Sequence, residues 1–243
     1  MAIKVEFLGH FGDDKSVADN ARVSFDSSAD DYSEAQNENL TKFLAYGMTT
    51  KEHNGFIETV SVASKEEIGK LLRKYRKTPT HWVPFAHTFL KFGVSAPVPI
   101  RTQCFKHKIG LSESEVSRRY VSSRPEVYVP DAFRMKAETV KQGSYGVHPE
   151  NFSLLEEYKK STNSAVELYL DFIARGVCPE QARFLLPQGA EVKWVWSGNL
   201  YAFANFYIAR SDSHAQKEVQ EIANQVDKLV RPLFPLAWAY LVD

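Results

Sequence analysis

The sequence contains little cysteine and no excess of charge of either sign. Its 243 residues include two cysteines, Cys104 and Cys178, which are too few for a cysteine-rich metal site or a disulfide framework. A single disulfide stays open, but reduced cysteines in the cytoplasm are favoured, and no metal is expected. The 30 basic side chains balance the 30 acidic ones, which argues against an overall basic surface for nucleic acid. Any anion-binding site must therefore be local.

Long hydrophobic runs are missing as well. No segment approaches the roughly 18 consecutive apolar residues of a transmembrane helix, and the opening MAIKVEFLGHFGDD lacks the basic leader and apolar core of a signal peptide. We therefore expect no membrane association and a cytoplasmic location, which for a viral chain means the host cytoplasm. The hydrophobic share of 44% is sufficient for the core of one large domain or two small ones.

Hydrophobic periodicity predicts both strands and helices. Alternation predicts strands at residues 3–7, 87–97 and 191–196. Helical spacing predicts helices at residues 33–47, 64–77, 151–176, 179–186, 199–210 and 213–230. Gly47 is a helix stop, and Ser64/Glu67 and Ser213/Gln216 are capping boxes. Residues 125–148 look irregular. The pattern predicts one α/β (α+β) domain spanning residues 1–243.

The segment KHKIGLSESEVSRRY, residues 106–120, concentrates cations, hydroxyls and carboxylates. The cations in and beside it are Arg101, Lys106, Lys108, Arg118 and Arg119. Such a cluster is typical of anion recognition, most often of phosphate. The carboxylate of Glu115 is unfavourable in a simple phosphate site but suits a ribose hydroxyl or an N–H donor, so the segment indicates a nucleotide. The alternatives are a solvated face, a helix cap formed by Ser112 and Glu115, and an ordinary histidine at His107.

A second polar group lies toward the carboxyl end. The segment ARFLLP places Arg183 in an apolar turn, and NLYAFANFYIARSDSHAQ carries Asn199, Asn205, Arg210, Asp212 and His214. Polar groups among aromatic side chains must find partners or cost about 1–3 kcal/mol each. For Asn205 a buried amide bonded to the backbone is as good an interpretation as a functional one.

These segments together resemble the flavin-dependent thymidylate synthases. The family signature is an Arg-His-Arg triplet, a spacer and a serine. Here the triplet is KHK, the spacer is IGLSESEV and the serine is Ser117, followed by Arg119. The segments ARVSF, HWVPFAHTF, APVPIRTQCF, ARFLLP and NFYIARSDSHAQKEVQEIA resemble further family motifs in the same order. The resemblance runs from about Ala21 to Leu229.

The resemblance implies a mixed β-sheet flanked by long helices. It also implies a homotetramer whose active sites are assembled from several subunits, with no nucleic acid or membrane as partner. The reaction would convert dUMP to dTMP. Methylenetetrahydrofolate would supply the carbon, and FAD, reduced by NADPH, would supply the hydride.

The resemblance also assigns site residues. Those near the cofactor are Ser24, His81, Lys106, His107, Lys108, Glu115, Asn199, Tyr201 and Asn205. Those near dUMP are Gln103, Lys106, Glu115, Ser117, Arg118, Arg119, Arg183 and Arg210. Arg210 matches the arginine that polarises the uracil ring. A guanidinium is always charged, so it can stabilise negative charge that develops on the pyrimidine.

Several positions depart from the family pattern. Both triplet arginines are lysines, which keep the charge but lose the planar fork, so the phosphate contacts should be less oriented. Tyr201 stands where members often carry an arginine, and Ala86 replaces an acid. Residues 51–80, before His81, look like an insertion.

Three other functions remain open. Cys104 lies near Arg101 and Lys106, which would favour a thiolate nucleophile, but TQCFKH lacks the proline-cysteine-x-histidine setting of the cysteine-dependent thymidylate synthases. A nucleic-acid module is weakened by the zero net charge. A divergent flavin- and nucleotide-binding homologue without full activity is compatible with the lysine triplet.

Overall fold

The computed structural model describes residues 3–62, 64, 81–137 and 143–243. Its strands are β1 (Lys4–Phe11), β2 (Phe89–Pro97), β3 (Leu111–Glu115), β4 (Arg134–Lys136), β5 (Ser144–Val147) and β6 (Glu191–Gly198). Its helices are α1 (Asp14–Arg22), α2 (Glu34–Tyr46), α3 (Thr50–Val62), α4 (Val83–Ala86), α5 (Val98–Cys104), α6 (Asn151–Ala174), α7 (Pro179–Ala182), α8 (Leu200–Ser211), α9 (Lys217–Val230) and α10 (Pro235–Val242). The predicted α+β fold, a sheet with long helices, is confirmed.

Four strands form the main sheet, in the order β1-β2-β6-β3. In β2, Leu90, Phe92 and Val94 are buried while Phe89 is exposed, so the alternation predicted for residues 87–97 is confirmed. Pro97 is extended and α5 starts at the next residue. The sheet therefore leads directly into the helix that carries the candidate site residue Gln103.

Helix ends follow the local sequence closely in α2. The Ser33 side chain accepts a hydrogen bond from the N–H of Gln36, and Gly47 closes the helix with a left-handed φ of 66°. Only glycine adopts that conformation without strain. The long helix predicted at residues 151–176 is likewise confirmed as α6.

Helix α9 packs one apolar face into the core. Val219, Ile222, Ala223 and Val226 are all fully buried, as the helical spacing predicts. The predicted capping box at Ser213 is wrong, because α9 begins only at Lys217. The preceding residues form a separate turn, which later proves to line the candidate site.

The interpretation of residues 125–148 as irregular is wrong in part. Strands β4 and β5 form an antiparallel hairpin in which Met135 pairs with Tyr145. Every residue of β5 is exposed, so the hairpin has no buried face to produce the alternation by which strands are recognised. Earlier in the same stretch, Val127 forms an isolated antiparallel bridge with Ala190.

The chain divides into two compact units. Unit 1 comprises residues 1–8, 91–197 and 206–226, and unit 2 comprises residues 9–90, 198–205 and 227–243. In unit 2, the Asp14 carboxylate accepts hydrogen bonds of 2.8 Å from the N–H groups of Leu236 and Ala237, which caps the first turn of α10. The prediction that residues 1–243 form a single domain stays a prediction.

The proposed insertion at residues 51–80 is described only in its first part, which is helix α3. Residues 63 and 65–80 lie outside the described residues, and with them the predicted helix at 64–77 and its capping box Ser64/Glu67. The insertion therefore stays a prediction. In the described part of the chain, no helix combines the length and apolar character needed to cross a bilayer.

Candidate functional site

A polar cavity of about 570 Å³ in unit 1 contains several of the predicted site residues. Its lining includes Gln103 from α5, Arg210 from the last turn of α8, and Asp212, His214 and Gln216 from the turn that follows α8. We call it the Arg210 cavity. The turn between α8 and α9, where the sequence predicted a capping box, therefore forms one wall of this cavity.

Arg210 is held in place by His107. The Nε–H of Arg210 donates a hydrogen bond of 2.9 Å to Nε2 of His107. The His107 ring meets Phe206 edge-on, with centroids 5.1 Å apart, and the buried Phe206 meets Trp196 in the same way at 4.7 Å. Burial, and next the positive charge of Arg210, lower the pKa of His107. His107 is therefore a neutral acceptor at neutral pH.

The other walls of the cavity are also hydrogen-bonded. The Nε2 amide of Gln103 donates to Oε1 of Gln216 at 2.6 Å, which leaves the Gln103 carbonyl as the acceptor end. The backbone N–H of His214 donates to Asp212 at 2.8 Å, and its Nδ1 lies 2.9 Å from the same carboxylate oxygen. These two contacts lower the pKa of Asp212.

Arg134 is a cavity residue that the sequence does not reveal. It lies in β4 and lines both the Arg210 cavity and a second cavity of about 410 Å³. Its Nη2 donates to both carboxylate oxygens of Glu218, at 2.7 and 2.9 Å, and its Nε donates to Oγ of Ser144 at 2.7 Å. Because the hairpin itself was not predicted, no local pattern distinguished Arg134 from the other arginines of the sequence.

Three further predicted residues, Ser117, Arg119 and Arg183, lie around Glu180, which was not predicted, and we call these four residues the arginine patch. The backbone N–H of Arg119 donates to Oγ of Ser117 at 3.2 Å. Nη2 of Arg119 lies 3.4 Å from the Glu180 carboxylate, and Nε of Arg183 donates to the Glu180 carbonyl at 3.2 Å. Residues far apart in sequence thus meet on one surface, but none of them is among those that line the Arg210 cavity.

The lysine triplet is only partly available to a ligand. Lys106 is exposed, while Lys108 forms an ion pair with Glu113. Glu115 forms an ion pair with Arg101, 3.3 Å apart. The helix-cap alternative for Ser112 and Glu115 is wrong, because residues 111–115 form the strand β3. Arg118 donates to the carbonyl of Ser123 at 2.5 Å and so braces the segment that carries Ser117.

The remaining cofactor candidates lie in unit 2: Ser24, His81, Asn199, Tyr201 and Asn205. The Oδ1 of Asn199 accepts the N–H of Ala202 at 2.8 Å, so this residue orients the start of α8. The ring centroids of Tyr201 and Trp82 are 6.1 Å apart, and the His81 ring stacks on the Phe43 ring with centroids 5.2 Å apart. Ser24 and Asn205 are both exposed. The interpretation of Asn205 as a buried amide bonded to the backbone is therefore wrong, and no free energy is lost in burying this group.

The environment of Cys104 argues against its acting as a nucleophile. Cys104 is fully buried, and burial raises the pKa of its thiol to about 12 despite the nearby charge of Arg210. Cys178 is exposed at the start of α7, so it is not a small core residue. The described ranges contain no group of three or more His, Cys, Asp or Glu side chains that could hold a metal ion.

The profile of one protein family covers almost the whole chain. The family described as Thymidylate synthase complementing protein matches residues 6–236. The chain belongs to this family. Curated relatives of this chain include the flavin-dependent thymidylate synthase of Thermus thermophilus. It is 29% identical over 237 residues, which is 97% of this chain and 74% of the relative. The Thermosipho africanus enzyme of the same name is 32% identical over 162 residues, which is 66% of this chain and 70% of the relative. The predicted resemblance is confirmed.

A solved structure supports the same fold. The crystal structure of the UMP/dUMP methylase PolB from Streptomyces cacaoi, bound with 5-Br dUMP, superposes on this chain with a TM-score of 0.76. The match covers 98% of this chain and 94% of PolB at 23% sequence identity. This likeness establishes the fold, while function is argued from the site.

Proposed function

We propose that this protein is a flavin-dependent thymidylate synthase that converts dUMP to dTMP. Methylenetetrahydrofolate would be the carbon donor, and FAD reduced by NADPH would be the source of hydride. The observation that carries the proposal is the Arg210 guanidinium, held by His107 at the wall of a polar cavity that Gln103 also lines. The relatives from Thermus and Thermosipho, which carry this activity in their names, support the same function.

The chemistry of the cavity suits a uracil ring. C5 of uracil becomes a better nucleophile when the ring loses its N3 proton, and a fixed positive charge beside the ring stabilises the negative charge that develops there. A guanidinium keeps that charge at any working pH. The Gln103 carbonyl can accept the N3–H of a pyrimidine, since its amide is oriented by Gln216. The phosphate is left to the arginine patch, whose arginines offer planar donors.

The residues present also fit a flavin dinucleotide. FAD needs cations for its pyrophosphate and a flat surface for its ring. Within unit 1, Lys106 is an exposed cation. Within unit 2, Trp82 is half exposed and its ring lies beside that of Tyr201. The Asn199 amide is oriented by its bond to Ala202 and retains N–H donors. When bound, FAD supplies the hydride that completes the methyl group. The assignment of Ser24, His81, Lys108 and Asn205 to the cofactor belongs to the same proposal.

We also propose a homotetramer with shared active sites. The arginine patch and the Arg210 cavity have no lining residue in common, yet one dUMP needs both a phosphate site and a uracil site. A patch supplied by a neighbouring copy would resolve this. Phe184 and Tyr120, beside Arg183 and Arg119, are 80% and 78% exposed, which suits surfaces that become covered on assembly. The cytoplasmic location and the absence of a nucleic-acid partner stay predictions.

The purified protein is expected to bind FAD and to show the two visible absorbance bands of oxidised flavin. NADPH should bleach these bands, and with dUMP and methylenetetrahydrofolate the protein should form dTMP, measured by mass spectrometry. Omission of dUMP is the control for product, and UMP is a comparison substrate. Protein that is reduced by NADPH but forms no dTMP would favour the alternative of a divergent homologue. The ion pair between Lys108 and Glu113 favours this alternative, because it occupies one cation of the triplet.

Replacing both cysteines by alanine is expected to leave the turnover number for dTMP within about threefold of wild type. Burial raises the pKa of the Cys104 thiol to about 12, so we do not expect it to act as a thiolate nucleophile at neutral pH. Each variant should be compared at equal flavin content. Loss of turnover with flavin still bound would restore the cysteine mechanism.

A further inference from the structure

The contact between Arg210 and His107 fixes the protonation state of the histidine. The Nε of an arginine side chain always carries a hydrogen, so Arg210 must be the donor and Nε2 of His107 the acceptor in their 2.9 Å hydrogen bond. An acceptor nitrogen has no proton, so the remaining ring proton lies on Nδ1. The geometry therefore requires the neutral Nδ1–H form of His107.

The ring of His107 has little freedom to leave this arrangement. It lies against Phe206, which stands one helical turn before Arg210 on the same helix. Phe206 is fully buried and is itself fixed edge-on against Trp196. On the other side, the His107 backbone N–H donates to the carbonyl of Cys104 at 3.0 Å. The histidine is thus held by the core and in turn holds the arginine.

We propose that His107 is a positioning residue, whose unprotonated Nε2 fixes the direction in which the Arg210 guanidinium faces the cavity. This role rests on the proposed function and differs from a contact with the cofactor. With Nε–H committed to His107, the two Nη groups are the donors directed at a substrate. A guanidinium free to rotate about its long side chain would spend only part of its time in that orientation, which lowers the rate more than the affinity.

The charges around His107 make the contact depend on pH. Arg210 faces it from α8, the Cys104 thiol beside it from α5 is uncharged at neutral pH, and Lys106 and Lys108 flank it on its own segment. Burial and Arg210 both lower the His107 pKa below its usual 6.5. Above that lowered pKa the contact is intact. As the pH falls through it, Nε2 gains a proton, loses its lone pair and repels Arg210.

The test compares two replacements of His107. Phenylalanine (H107F) keeps the ring against Phe206 but removes the acceptor, and glutamine (H107Q) keeps an acceptor oxygen. We expect H107F to lower the turnover number about 10- to 100-fold with a smaller change in the KM for dUMP, and H107Q to lose several-fold less. The acid limb of the wild-type pH profile, below pH 6.5, should be absent in H107Q. Equal losses in the two variants, or no loss in H107F, would overturn the proposal.

Two controls separate this role from the others. Flavin content is measured in every variant; an H107F protein that regains wild-type turnover at saturating FAD would assign His107 to cofactor binding instead.

Nitrogen-15 NMR of the wild-type histidines tests the contact between His107 and Arg210 without an activity assay. We expect the Nδ1–H form at neutral pH and a rise in the His107 pKa when Arg210 is replaced by methionine. A protonated ring or an Nε2–H form at neutral pH would refute the positioning role even if the protein makes dTMP. Wild-type protein without turnover but with the expected spectrum would refute the proposed function alone.

Discussion

Replacing Arg210 by methionine (R210M) is expected to lower the turnover number for dTMP formation by about 10²- to 10³-fold. That is the usual cost of removing one group that stabilises negative charge in the transition state, about 2.7–4 kcal/mol. Methionine keeps the length of the side chain and favours helix, so α8 should stay intact. Lysine at the same position keeps the charge but not the planar guanidinium that bonds His107, so R210K should lie between R210M and wild type.

The measurement is dTMP formed per subunit at saturating substrates, with flavin content determined in the same sample. The matched control is Arg175→Met, because the side chain of Arg175 is 67% exposed and its contacts, an ion pair with Asp171 and the Phe172 ring, lie on the surface. It should stay within twofold of wild type, since such pairs contribute little. If R210M and R175M had equal turnover, Arg210 would have no part in the chemistry.

Replacing Arg134 by methionine (R134M) is expected to lower the free energy of unfolding by about 3 kcal/mol at neutral pH. The loss of one partner leaves a buried carboxylate uncompensated, which costs far more than an exposed pair. The Glu218 side chain is 9% exposed and receives two hydrogen bonds from Arg134. Urea denaturation followed by circular dichroism measures the difference.

The Glu218 contribution to the free energy of unfolding should change with pH in opposite directions in the wild type and in R134M. Burial alone would raise the pKa of Glu218, but the hydrogen bond from Arg134 and smaller contributions outweigh it and lower the pKa below 4.5. The wild type therefore carries a stabilisation that is present above pH 4.5 and lost as the pH falls through the lowered pKa. In R134M burial prevails and the pKa rises. The difference in the free energy of unfolding between the wild type and R134M should therefore become smaller as the pH falls from neutral.

Two further variants make this prediction specific. The double replacement R134M/E218L puts apolar side chains at both positions and should recover most of the lost stability. R175M, which breaks an exposed pair, should change the free energy of unfolding by less than about 0.5 kcal/mol. An R134M protein as stable as R175M, with no narrowing at low pH, would contradict the account of this pair.

Local elements were predictable where one face is buried and the ends carry strong signals. The alternation of β2 and the Ser33 and Gly47 ends of α2 are both written in adjacent residues. The β4–β5 hairpin was not predictable, because both faces of β5 are exposed. The pattern Ser112-x-x-Glu115 is ambiguous for a related reason: it fits a helix cap and an exposed strand equally well, and packing into the sheet decides for the strand.

The sequence by itself determined the family, the strands and helices with a buried face, and the kinds of side chain available for a nucleotide. Only the tertiary structure decided their partners: His107 with Arg210, 103 residues apart, and Arg134 with Glu218, 84 residues apart. Periodicity and capping signals report on neighbours within a turn or a strand. The charge state of His107 and the net pKa of Glu218 depend instead on burial and on charges brought close by folding, and these exist only once the chain is packed.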